Sequence, residues 1–233
     1  MNTSLDISAE LLSKFRTPAF PGSYFLSIEG IEGAGKSTQI IKIKDFLESK
    51  GLRVLILREP GGTPFGEKLR QAVLTSTTKI HPVAEAHLFA SARAQLFQEV
   101  TLKELEIPGT VILYDRYIDS TLAYQGKGRN LGSKTVLEMH QKFPLNLMPH
   151  LTFYLKINLE TSMNRQKMRN APKDYFESQG EDFYLKLIAG YEEALKLFPN
   201  RIVPIDANKN VDSVFSQIQG HLDHLIEQRP TIQ

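Results

Sequence analysis

The first residues able to do chemistry are Gly30-Ile31-Glu32-Gly33-Ala34-Gly35-Lys36-Ser37, followed by Thr38. They have the form G-x-x-x-x-G-K-[ST] and stand where a short apolar run gives way to a helical pattern. Glycines let successive backbone amides turn inward around an anion, and the following helix adds the positive end of its dipole. Lys36 then reaches the outer phosphates of a nucleotide, and Ser37 offers its hydroxyl to Mg²⁺. A glycine-rich turn without a ligand is the plain alternative, and the strand-loop-helix setting weighs against it.

Other segments supply complementary chemistry. Thr110-Val111-Ile112-Leu113-Tyr114-Asp115 is an apolar run ending in a carboxylate, so Asp115 either faces the metal site or caps the next helix. Arg58-Glu59-Pro60-Gly61-Gly62-Thr63 follows another apolar run, which puts an arginine and a tight turn at the sheet edge where ligands of open α/β sheets bind. Phe89 and Arg93 are four apart and share a helix face. They suit a base held by stacking and hydrogen bonding, or a core phenylalanine covered by an arginine stem. Arg116 lies beside Asp115, where two phosphate groups would meet. Arg165, Lys167 and Arg169 open a polar stretch reaching Gly180, read as a basic flap over residues 165–180 or as a solvated helix face.

These residues need a scaffold that brings distant loops to one edge. From residue 24 onward, β-rich runs at 24–28, 53–57, 110–114, 151–157 and 201–205 alternate with helical patterns at 36–50, 66–76, 83–106, 133–142, 160–169, 181–197 and 211–227. Such alternation predicts an α/β fold, a doubly wound parallel five-stranded sheet flanked by helices. The runs read as buried on both faces. Gly51 is placed to end the first helix. Residues 1–22 read as an appendage, a short amphipathic helix ending near Pro18, Pro21 and Gly22 and docking on the surface of one domain at 23–230.

Composition narrows the function. With 41% hydrophobic and 23% charged residues the chain is ordinarily globular, and having no cysteine excludes disulfides, thiolate metal sites and a thiol nucleophile. A formal charge of +2 is too small for a basic nucleic-acid footprint, and no apolar run approaches the ~20 residues of a membrane span. No nucleic-acid or membrane partner is therefore expected. A guanine-nucleotide switch needs Asp-x-x-Gly and Asn-Lys-x-Asp; no aspartate here has glycine three residues on, and Asn208-Lys209-Asn210 is followed by Val211. His221 and His224 read as a solvated helix face rather than a metal pair, and no histidine is expected to be catalytic.

The stretches 25–38, 58–63, Leu88-Phe89-Ala90-Ser91-Ala92-Arg93 and Asp115-Arg116-Tyr117-Ile118-Asp119-Ser120-Thr121-Leu122-Ala123-Tyr124-Gln125-Gly126 together resemble bacterial thymidylate kinases in order and spacing. The resemblance spans about residues 23–228 and implies a phosphate-loop kinase fold and transfer of phosphate from ATP to dTMP, with Mg²⁺. It implies that Glu32 contacts the deoxyribose 3′-hydroxyl, that Arg58 and Arg116 hold the acceptor phosphate, and that Arg70 lines the acceptor pocket. Phe89 would stack on thymine, Arg93 would donate to its O4 atom, and Ser120, Thr121 and Gln125 would complete the base contacts. Tyr124 would crowd the 2′ position, and Asp206, Ala207 and Asn208 would lie near adenine. Lys36, Arg58, Asp115, Arg116, Arg165 and Arg169 would act on the transferring group, with Ser37 and Asp115 at the metal. The family's flap usually carries Asp-Arg-(Ile/Phe)-Glu, whereas this chain has Asp174-Tyr175-Phe176-Glu177. A homodimer and a cytoplasmic location are further implications. Another nucleoside or nucleotide kinase of the same fold, or a nucleotide-bound module without transfer activity, remains open.

Overall fold

The computed structural model describes residues 7–168, Phe176 and residues 180–227. Its strands are β1 Tyr24–Glu29, β2 Arg53–Arg58, β3 Thr110–Asp115, β4 Leu151–Lys156 and β5 Ile202–Asp206, all parallel in the order β2-β3-β1-β4-β5. Each expected strand is present to within one residue at either end. The expectation of burial on both faces holds for β1, β3 and β4 and is corrected for β2, where only Leu57 is buried, and for β5, where only Ile202 and Ile205 are. Those two are the edge strands, where one flank has no neighbour to cover it.

The helices are α1 Ala9–Ser13, α2 Lys36–Ser49, α3 Pro64–Leu74, α4 Pro82–Leu96, α5 Leu102–Leu105, α6 Ile118–Thr121, α7 Ser133–His140, α8 Leu159–Met168, α9 Glu181–Leu197 and α10 Val211–Glu227. Their ends follow local chemistry. Thr63 caps α3, accepting from the Gly66 amide at 2.9 Å, with Pro64 in the first turn. Beyond α2, Gly51 takes a φ of 75° and its amide bonds Glu48 O, while the Leu52 amide bonds Leu47 O. This is a Schellman ending, with Leu47 and Leu52 both buried. The single helix expected over 83–106 is α4 and α5 joined by a π-helical turn, Phe97–Thr101. An unforeseen helical segment runs through α6 into a π-helical stretch, Leu122–Gly128.

The core centres on an aromatic cluster: Phe25 lies 5.5 Å from Phe97, 5.1 Å from Tyr114 and 5.0 Å from Tyr117, ring centre to ring centre. Leu11 of α1 is buried in this core, and the chain after α1 pairs Arg16 with Leu147 in a parallel bridge. The register then positions the functional edge. Ile28 and Arg58 both stand opposite Asp115, so the ends of β1, β2 and β3 form one row.

Candidate active site

A cavity of about 500 Å³ opens along that row. It gathers Glu32, Gly33, Gly35, Lys36, Ser37 and Thr38 from the loop after β1, Arg58 from β2, and Asp115 and Arg116 from the end of β3. Arg70 comes from α3, Phe89 and Arg93 from α4, Ser120, Thr121, Tyr124 and Gln125 from α6 and its extension, and Arg165 from α8. The remaining loop residues, Gly30, Ile31 and Ala34, stand behind the lining. Asp206, Ala207 and Asn208 lie outside the cavity at the end of β5, where the Asn158 amide donates to Asn208 Oδ1. Arg169 and Tyr175 lie outside the described residues; of the other residues of the expected flap, Arg165 and Phe176 line the cavity and Lys167 lies exposed on α8.

The loop conformation requires its glycines. Gly33 has a φ of +79°, and a side chain there would meet Ser162 O at 2.7 Å; Gly30 has a φ of +140°, and a methyl group there would meet Leu155 O at 2.8 Å. α8 braces the loop from outside: Ser162 Oγ donates to Glu32 O at 2.6 Å, and Arg165 donates to Gly33 O at 3.3 Å and to Lys209 O at 3.2 Å. Lys36 Nζ donates to Gly30 O at 2.8 Å. Burial, and after it Arg116, pulls the Lys36 ammonium down from 10.5 to about 8.

Arg116 occupies a left-handed conformation with a φ of 71°, a strained setting for a non-glycine residue. Its amide donates to Ile28 O at 3.1 Å, and its guanidinium donates to Glu32 Oε1 at 2.6 Å, Ser120 Oγ at 3.3 Å and Tyr191 Oη at 3.2 Å. Tyr124 Oη donates to the same Glu32 oxygen at 2.6 Å. Although burial opposes its charge, Arg116 and then Lys36 hold Glu32 below the usual carboxylate range. Glu32 Oε2 is buried and has no hydrogen-bond partner among the described residues, which leaves it an acceptor at the site.

The sequence reading missed Glu29, the residue that fixes this turn. Its Oε1 accepts from the Tyr117 amide at 2.6 Å and its Oε2 from Ser120 Oγ at 2.6 Å. Burial, then Asp119, pushes its carboxyl from 4.5 up to about 8. The available signal was an acid closing an otherwise apolar strand directly before Gly30.

In the same cavity, Phe89, Phe176 and Tyr124 form an aromatic wall, with ring centres 6.3 Å apart for Phe89 and Phe176 and 5.4 Å apart for Tyr124 and Phe176. Arg93 stands beside it, yet not as a simple cover for Phe89. It is buried in an ion pair with Glu59, Nε to Oε2 at 2.6 Å, and donates to Thr121 Oγ1 at 3.1 Å and to His140 Nε2 at 2.9 Å. Although burial opposes the charge, Glu59 keeps Arg93 above its ordinary value. Gln125 Nε2 is oriented by Glu85, at 2.8 Å. Glu59, Glu85, Phe176 and His140 were not assigned roles from sequence.

For a metal, Asp115 Oδ1 is a buried acceptor with no hydrogen-bond partner among the described residues, and Ser37 lines the same cavity. One carboxylate and one hydroxyl suit a magnesium ion that keeps waters and binds with substrate phosphates. Among the described residues no cluster of three or more metal-ligating side chains occurs, and no helix is long and apolar enough to cross a membrane.

Comparison with known proteins agrees with this geometry. Residues 28–218 match the family model for thymidylate kinase. The thymidylate kinase of Chlorobaculum tepidum is 40% identical over 208 residues, 86% of this chain and 97% of its own length. That of Neisseria meningitidis serogroup B is 40% identical over 199 residues, 85% of this chain and 96% of its own. A Thermoanaerobacter thymidylate kinase is 40% identical over 194 residues, 83% and 94% of the two chains. A phosphate loop, a carboxylate and arginines in one sheet row, and an aromatic pocket beside them thus sit in a chain that belongs to the thymidylate kinase family.

Proposed function

We propose that the protein moves the γ-phosphoryl group of ATP onto dTMP, releasing ADP and dTDP, with the residues named above in specific roles. The observation that carries these roles is that one cavity is lined together by Lys36 and Ser37 of the phosphate loop, by Arg58 and Arg116, and by Phe89, Arg93 and Thr121. A dTMP phosphate oxygen attacks the γ-phosphorus while the bond to the β,γ-bridging oxygen breaks. The attacking oxygen is already anionic near neutral pH, so no general base is required, and alignment with charge neutralisation dominates.

Loop amides and Lys36 grip the donor phosphates, and Arg58 and Arg116 hold the acceptor phosphate in line. Arg165, fixed on Gly33 O and Lys209 O, keeps α8 against the loop beside the transferring group. Ser37 and Asp115 would hold Mg²⁺, which supplies neutralisation of the β- and γ-phosphate charge when bound. Glu32 Oε2, without a partner among the described residues, receives the 3′-hydroxyl, and Tyr124, pinned by Glu32, closes the space where a 2′-hydroxyl would sit. Arg70, whose Nη1 bonds Pro60 O at 3.1 Å, borders the acceptor side, and Ser120 and Gln125 complete that wall. The Asp206 to Asn208 turn borders adenine; the Ala207 side chain is buried, so only its backbone is available there. Residues 1–22 are an accessory segment to a catalytic domain at 23–230, and the flap at 165–180 closes over the phosphates. A homodimer and a cytoplasmic location belong to the same proposal.

A panel of monophosphates with ATP and Mg²⁺, read by ADP release, tests the reading. Thymine and uracil differ by a methyl worth about 1–3 kcal/mol, so dUMP is a poorer but measurable substrate. Cytosine places an amino donor against Arg93, and a buried mismatch of donors can cost ~10⁴-fold. Turnover of dCMP equal to that of dTMP would remove Arg93 from the base site. K36A should abolish transfer, and a protein with no transfer to lose would be a binding module.

A further inference from the structure

His140 is the last residue of α7, fully buried, and it faces the guanidinium of Arg93 rather than the cavity. Its hydrogen bonds fix its form. Val136 O can only accept, so the Nδ1 atom 2.7 Å away must carry a proton. Arg93 Nη1 can only donate, so Nε2, 2.9 Å away, must be bare. The ring is therefore neutral. Burial, then Arg93, lowers its pKa from 6.5 to about 3, in agreement.

The N–H groups of Arg93 are engaged on three sides. Nε–H donates to Glu59 Oε2 at 2.6 Å, and Nη2 lies 2.5 Å from the same oxygen in the ion pair. Nη2 also donates to Thr121 Oγ1 at 3.1 Å, and one Nη1–H meets His140. One Nη1–H is left. The Arg93 guanidinium also lies over the Tyr117 ring at 4.7 Å, which fixes its plane.

We propose that His140 is a positioning residue for base selection: by holding one Nη1–H of Arg93 it leaves the guanidinium a single, fixed donor for a carbonyl of the pyrimidine. This rests on the reading of Arg93 as the base-reading residue. Without the imidazole, Nη1 carries two unheld N–H groups and the guanidinium is free to tilt about its Glu59 contact, so both the affinity for thymine and the rejection of cytosine weaken.

The test compares the intact protein with H140F, which fills the space without an acceptor, H140N, which restores one through its amide oxygen, and R93M. Melting temperature and KM for ATP report on packing; kcat and KM for dTMP and the dTMP to dCMP ratio of kcat/KM report on positioning. H140F should raise KM for dTMP about tenfold or more, as loss of a bond to a charged group does, and lower the ratio similarly, with kcat and KM for ATP within about twofold. H140N should return both within about threefold. Unchanged dTMP KM and ratio in folded H140F overturn the proposal, and so does an equal loss for every substrate. If H140F does not fold, H140M takes its place under the same criteria. Should R93M retain the ratio, the base-reading role itself fails; should R93M lose it while H140F keeps it, only the role of His140 fails.

Discussion

Removing Glu59 should be far more costly than removing the arginine it serves. Both side chains are nearly dry, at 4% and 3% exposure, with Nη2 and Oε2 2.5 Å apart. In E59L the guanidinium remains charged inside the protein, because arginine does not lose its proton at accessible pH. Stranding one member of a buried pair costs about 3–5 kcal/mol, against ordinary domain stabilities of about 5–15 kcal/mol. R93M strands the acid instead, and that acid has an escape. Burial already raises the Glu59 carboxyl above its ordinary value with Arg93 present, so on losing Arg93 it takes up a proton. R93M should therefore cost about 1–3 kcal/mol, the scale of an unmet hydrogen bond. The double variant E59L/R93M removes both charges and leaves only the Thr121 hydroxyl and the His140 nitrogen short of a donor. It should be more stable than E59L by about 2 kcal/mol, the margin between a stranded charge and an unmet hydrogen bond, while its dTMP recognition stays as poor as that of R93M. Urea unfolding of the four proteins at pH 7 gives the coupling energy, and dTMP kinetics give recognition. Equal midpoints for E59L and the double variant would refute the stranded-charge argument, and R93M as unstable as E59L would refute the asymmetry.

Other perturbations reach the phosphate loop and the residue before it. Glu29 keeps a proton in the folded chain up to about pH 8 that the unfolded chain releases above 4.5. Its contribution to stability is thus complete below pH 4.5 and lost as pH rises through 8, with a slope of about 1.4 kcal/mol per pH unit inside that window. E29Q should flatten the fall in urea midpoint between about pH 5 and 8, and parallel profiles would exclude this titration. G33A should raise KM for ATP about tenfold or more, since its methyl meets Ser162 O at 2.7 Å in a left-handed backbone. As its control, G220A has open space around the new methyl within α10 and should stabilise the protein by about 0.5–1 kcal/mol with ATP kinetics unchanged. A G33A protein with wild-type ATP kinetics would mean that α8 does not define the loop.

Much of the sheet and the phosphate loop was legible because their signals are local. Apolar runs bounded by glycine and charge mark strands, and G-x-x-x-x-G-K-S in that setting marks a loop around an anion. An apolar run cannot say whether its strand is central or at an edge, which is why β2 and β5 were read as fully buried. The segment from Ile118 to Gly128 was missed because its threonine and glycines disfavour helix. Packing imposes the helical form there: Gly190 lets α9 approach so closely that a side chain at that position would come within 2.6 Å of Ala123 Cα. The partnerships around Arg93 join residues 34, 28 and 47 positions away, and no spacing rule reaches across such separations. Family resemblance pointed to the ligand-facing side of that arginine. It did not point to Glu59 and His140 behind it.

The strand order has a consequence for how the protein is born. β1 leaves the ribosome early, but its two neighbours come from residues 110–115 and 151–156. At ordinary elongation rates of about 5–20 residues per second, the nucleotide loop waits on the order of ten seconds for both flanks. During that interval β1 is an unpaired apolar ribbon, a natural substrate for a holdase. Stalled nascent chains of increasing length should show protease protection at the Lys36 loop only after β4 has emerged, and protection in a chain long enough to expose β3 but not β4 would show that β4 is not needed.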